Sequence, residues 1–124
     1  MAEGLVLHEQ RGLTRRELIY YLKISDRKSG REIARMGDLH TEGMLALSEK
    51  PLVIGEIHNV SLELPKALHD SGRTEVFITF EVMWSRPGPK SSSYKENGVR
   101  FVAPDHDQKQ VINQLIELFA MPPQ

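Results

Sequence analysis

Arg11 and Arg15 stand four positions apart, with Arg16 directly after them. This spacing keeps the first two on one side of the chain whether the segment is helical or extended. A guanidinium group offers a planar fork of donors that grips phosphate through two oxygens, and its flat face stacks on a purine. Two of them together can hold a nucleotide at two points. The plainer reading of the same residues is a solvated basic run or a loose polyanion patch. A second candidate is the stretch Asp38-Leu39-His40-Thr41-Glu42-Gly43. Its aspartate can accept hydrogen bonds from a purine edge with adjacent donors, as guanine has, and Gly43 permits a positive φ and the close approach of a ligand. Taken alone, an Asp-to-Gly corner is an ordinary turn.

The elements that must position these groups are short strands. Leu18, Tyr20, Leu22 and Ile24 recur at every second position, which predicts a strand over Leu18–Ile24. The polar run Asp26–Gly30 reads as the turn into a second strand over Glu32–Met36, so that the first two strands form a hairpin. Met44–Leu47 is consistent with a buried third strand, which leaves the Asp38–Gly43 stretch as a corner between strands two and three. Val53–Leu64 predicts a fourth strand in which Gly55 marks a bulge or a close backbone approach. The cleanest alternation places Val76, Ile78, Phe80, Val82 and Trp84 on one inward face of a fifth strand, Glu75–Trp84. Pro87–Ser93 reads as a mobile loop within a flexible stretch 86–94, and Gly98–Val102 as the last strand. Asp105 and Gln108 have capping-box spacing ahead of a helix whose apolar face carries Val111, Ile112, Leu115, Ile116, Leu118 and Phe119; Pro122-Pro123 stops it. The expected architecture is mainly β, a six-stranded antiparallel barrel or curled sheet covered by a C-terminal α-helix.

Composition removes several classes of function. Sixteen basic residues balance 17 acidic ones, so no global field gathers nucleic acid or an anionic membrane, and any anion site must be local. With no cysteine, thiolate metal sites, disulfides and cysteine nucleophiles are excluded. His8, His40, His58, His69 and His106 form no helical pair, so no metal is expected. Asp105-His106-Asp107 reads as a helix cap rather than an acid–base group, and Ser91-Ser92-Ser93 lacks a nucleophile-elbow context. The first ten residues do not read as a signal peptide, and no segment approaches the roughly 20 apolar residues of a membrane span. A soluble, cytoplasmic protein without membrane insertion is expected. A nucleic-acid-binding barrel, with Tyr20, Tyr21 and Phe77 as stacking residues, lacks a basic groove beyond Arg11, Arg15 and Arg16.

Arg11-Gly12-Leu13-Thr14-Arg15 and Asp38-Leu39-His40-Thr41-Glu42-Gly43, with Trp84 and Asn97-Gly98-Val99-Arg100-Phe101 further along, resemble the PilZ domain family in order and separation over about residues 11–119. The first family motif is two arginines separated by three residues. The second is Asp or Asn, any residue, Ser, two residues and Gly, and this chain has His40 in place of the serine. The resemblance implies a PilZ-type barrel spanning 11–121, with tails at 1–10 and 122–124. It also implies a receptor for the bacterial second messenger cyclic di-GMP rather than an enzyme, with no cofactor beyond that ligand. Carried over by position, Arg11 and Arg15 hold phosphates and stack on guanine, Asp38 binds a guanine edge, and Gly43 leaves room for the ligand, with Arg16 and Arg100 as further candidates. His40 either crowds the ligand or replaces the hydroxyl bond and, when protonated, favours the phosphates. The family also implies an adaptor, monomeric or weakly dimeric, that relays the signal to an unidentified protein effector in motility, attachment or exopolysaccharide systems. The alternative within the family is a degenerate module that works through protein contacts alone.

Overall fold

A computed structural model of the chain describes residues 21–69, 72–89 and 93–120. Six strands, β1 (Lys23–Asp26), β2 (Glu32–His40), β3 (Gly43–Ser48), β4 (Ile57–Glu63), β5 (Glu75–Pro87) and β6 (Lys95–Phe101), are followed by the helix α1 (His106–Ala120). They close into a barrel of order β1-β2-β3-β6-β5-β4 in which all neighbours are antiparallel. Closure leaves no sheet edge along the ring. The interior is filled by alternate residues: Ile24, Met36, Ala46, Val60, Leu62, Ile78 and Phe80 are all buried.

Several elements differ from expectation. The first strand begins only at Lys23, with Leu22 and Ile24 buried as the alternation requires; Leu18–Tyr20 lie outside the described residues. β4 starts at Ile57, because Val53–Glu56 forms a turn in which Gly55 takes φ 91° rather than a bulge. β5 and β6 pair as far as Arg86↔Glu96 and Pro87↔Lys95, so Arg86 and Pro87 belong to the sheet and not to the loop. Proline is tolerated at Pro87 because it is the last residue of the strand.

The β1–β2 turn is as expected. Gly30 takes φ 75°, and Asp26 Oδ2 accepts the Ser29 N–H at 2.8 Å. That bond, with the Ser29 hydroxyl, holds the Asp26 carboxyl below its ordinary range. Its contribution to stability is thus present above the unfolded-chain value and is lost as the pH falls through the folded one.

The helix covers the barrel end at which β5 begins, burying Val111, Ile112, Leu115 and Phe119 in the barrel core. Its start is a reciprocal capping box. The Asp105 N–H donates to Gln108 Oε1 and the Gln108 N–H to Asp105 Oδ1, both at 2.8 Å. Gln108 Nε2 also donates to the Phe77 carbonyl at 2.6 Å, and Arg73 pairs with Asp107 at 3.0 Å, which ties the helix start to the strand beneath. Asp105→Ala is expected to lower unfolding free energy by about 1 kcal/mol. Gln108→Ala should cost more, because it also removes the bond to β5. Urea titrations with equal midpoints for the two variants would contradict this assignment. Among the described residues no helix is long and apolar enough to cross a membrane.

Candidate functional site

Two bulges decide what the outer face of the barrel displays. On β2 the ladder runs Met36↔Ala46 and then Asp38↔Leu45, so Gly37 is the extra residue. Strict alternation would place Asp38 inside with the fully buried Met36; the bulge turns it outward, and Leu39 returns to the core. On β5 the pairing passes from Val82↔Val99 to Trp84↔Gly98, skipping Met83. Trp84 is therefore 40% exposed, not inward with Val76, Ile78, Phe80 and Val82 as the alternation predicts.

The registers then align two rows across four strands. One is Asp38–Leu45–Gly98–Trp84, and the next is His40–Gly43–Arg100–Glu81. A cleft of about 390 Å³ lies over them, floored by Leu45 and Gly98 and walled by Asp38 and His40 on one side and Trp84 and Arg86 on the other. Its size falls within the roughly 300–1,000 Å³ of small-molecule sites.

Each wall has a fixed geometry. Asp38 Oδ1 accepts the Leu39 N–H at 2.8 Å, which orients the carboxylate and leaves its other oxygen without a partner among the described residues. The indole of Trp84 lies against Gly98 so closely that a Cβ there would sit 2.2 Å from the ring. The Arg86 guanidinium is 4.7 Å from the indole centroid while its Nε bonds Glu96 at 2.7 Å. Arg100 Nη2 bonds Glu81 at 2.5 Å. Both arginines on the cleft are thus already paired with carboxylates. Gly98→Ala is expected to push the indole off β6; since Trp84 is the only tryptophan, its emission should shift to the red. An unchanged spectrum in a folded variant would contradict the packing of Trp84 on Gly98.

Of the residues singled out in the sequence, Asp38, His40 and Arg100 line this cleft, and Gly43 lies at its edge in the same row as His40 and Arg100. It is buried, its φ is not positive, and a Cβ would lie 2.1 Å from the Val99 carbonyl oxygen, so glycine is needed there for the close passage of β6. The expected corner is also tighter than predicted: Asp38 and His40 belong to β2, Gly43 to β3, and only Thr41 and Glu42 form the turn. Arg11, Arg15 and Arg16 lie outside the described residues. The described chain begins beside the cleft, however. Tyr21 packs with Leu45 and Tyr94 around Leu47, its carbonyl accepts Arg35 Nη1 at 3.3 Å, and the Leu22 carbonyl accepts the Met36 N–H at 2.8 Å. Among the described residues no cluster of His, Asp or Glu could hold a metal ion.

The PilZ domain family model matches residues 8–118. The chain belongs to that family. Two solved structures share the fold of this PilZ domain. The PilZ domain with c-di-GMP of YcgR from Escherichia coli matches with a TM-score of 0.58 at 14% identity, covering 80% of each chain. The Bacillus subtilis Inhibitor of motility (MotI/DgrA) matches with a TM-score of 0.56 at 15% identity, covering 78% of this chain and 45% of that one. No curated protein sequence matches significantly. Trp84, Arg86 and Gly98 are the cleft residues that periodicity alone assigns wrongly or passes over.

Proposed function

We propose that this PilZ domain binds cyclic di-GMP in the cleft between Asp38 and Trp84 and relays its presence to a protein effector, without catalysis. The observation that carries the reading is a cleft equipped for a base but short of charge for phosphate. Asp38 offers a carboxylate to a guanine edge and Trp84 a ring for stacking, yet Arg86 and Arg100 are bound to Glu96 and Glu81. The missing cations are supplied by Arg11 and Arg15, on the segment leading to Tyr21. Arg15 precedes Tyr21 by six residues, a reach of about 20 Å, whereas β3 and β5 are about 10 Å apart across β6. His40, on the same strand face as Asp38, contributes a donor in the position where the family motif has serine. Closure of the arginine segment over the ligand changes the surface shown to a partner, which is a relay that needs only differential binding. The YcgR structure, whose PilZ domain holds c-di-GMP, supports the ligand assignment.

A calorimetric titration of the full chain tests this. Saturable binding of cyclic di-GMP, with weak or no binding of the linear dinucleotide, is expected. Absence of heat with both, in folded protein, would leave the domain a module working through protein contacts alone.

A further inference from the structure

Among the described residues, the cleft has one side chain that can gain positive charge and is bound to no carboxylate. Arg86 and Arg100 are held by Glu96 and Glu81, and no lysine lines the walls. The remaining candidate is His40. Its imidazole is exposed, and nothing among the described residues bonds its ring nitrogens. His58 and His69 differ: His58 Nε2 lies 3.1 Å from Glu56 Oε1, and His69 Nε2 donates to the Leu64 carbonyl at 2.8 Å.

The strand beside His40 keeps the ring open. Its cross-strand neighbour is Gly43, which has no side chain to cover it and cannot gain one, since a Cβ there would meet the Val99 carbonyl oxygen at 2.1 Å. The next side chain in that row is Arg100 on β6, two strands and about 10 Å away, and it bonds Glu81 on β5. The row thus leaves a space the size of a phosphate group between imidazole and guanidinium. Along β2, Asp38 is two residues back, about 7 Å, so a ligand whose guanine meets that carboxylate also reaches His40. The charged groups around the ring are Asp38 on its own strand, Glu42 in the turn, Arg100 with Glu81, and Arg86 with Glu96 across the cleft. With His40 neutral, these carboxylates outnumber the guanidinium groups. A doubly charged anion that enters such a cleft favours the imidazolium, through attraction and through an N–H donated to its phosphate.

We propose that His40 takes up a proton from solvent as cyclic di-GMP binds and donates a ring N–H to a phosphate, so that affinity for the ligand falls as the pH rises through neutrality. This rests on the proposed ligand-binding reading. The sign follows from reciprocity. An anion that favours the imidazolium is itself bound more tightly by it, so affinity is highest where the ring is charged before binding and declines until the bound ring also loses its proton. Calorimetric titrations at pH 7 in buffers of different ionisation enthalpy count the protons exchanged. About half a proton should enter per ligand bound, and the dissociation constant should rise about tenfold from pH 6 to pH 8. His40→Asn keeps a donor and loses the charge. Its uptake should vanish, and it should match the unmodified chain at pH 8 while binding about tenfold more weakly at pH 6. A loss of the same size at both pH values would make His40 a neutral contact and overturn the proposal. Heats that do not depend on the buffer, or proton uptake that survives His40→Asn and vanishes in His8→Asn, would also overturn it while leaving the cleft as the ligand site. No binding of cyclic di-GMP at any pH would remove both readings.

Discussion

In a calorimetric titration Arg15→Ala is expected to show no measurable binding of cyclic di-GMP, while its circular dichroism and melting curve match those of the unmodified chain. The size of the loss follows from the cleft's charge inventory. A bidentate guanidinium–phosphate contact contributes about 2–4 kcal/mol when it cannot be replaced, and within the described cleft Arg86 and Arg100 are committed to Glu96 and Glu81. Neither described arginine of the cleft is free to substitute. Arg15→Lys should recover only part of the affinity, because an ammonium has neither the fork nor the stacking plane. Retained affinity in Arg15→Ala would remove this residue from the site and return the basic run to its plainer reading as a solvated cluster.

The largest effect on stability is expected at Gly43. Its missing side chain faces the Val99 carbonyl oxygen at 2.1 Å, and that carbonyl belongs to the β6 backbone. Gly43 pairs with Arg100 in the same ladder, and the Phe101 N–H donates to the Glu42 carbonyl at 2.9 Å, so neither strand can retreat without breaking the β3–β6 seam. Gly43→Ala should cost about 3 kcal/mol, roughly 10 °C in Tm. Gly37→Ala is the matched control: its Cβ would meet the Leu47 side chain at 3.1 Å, which can shift by a few tenths of an ångström. Equal melting temperatures for the two variants would contradict the assignment of Gly43 to strand packing.

The barrel and its helix were legible because both follow from local periodicity. Alternation along Val76–Val82 and the Asp105/Gln108 pair specify a strand and a helix start without reference to the rest of the molecule. The cleft was less legible, because a bulge is a property of two strands and not of one. Whether Gly37 is extra depends on how β2 meets β3, and the same holds for Met83 between β5 and β6. Each bulge reverses the facing of the residues beyond it, so the periodicity that located the core assigned Trp84 to the wrong side. Motif resemblance brought Asp38 and His40 to attention without giving their orientation. It also gave Gly43 a role in leaving room for the ligand, to which the structure adds one in strand packing.

Ligand recognition as proposed requires Arg11 and Arg15 to converge with Asp38 and Trp84 on a single cyclic dinucleotide. A structure of the full chain crystallised with cyclic di-GMP examines that convergence without intermediaries. A phosphate is expected within hydrogen-bonding distance of the Arg15 guanidinium, together with a guanine whose edge meets the Asp38 carboxylate beside the Trp84 indole. Ligand bound on another face of the barrel, or in this cleft with both leading arginines turned away, would contradict it.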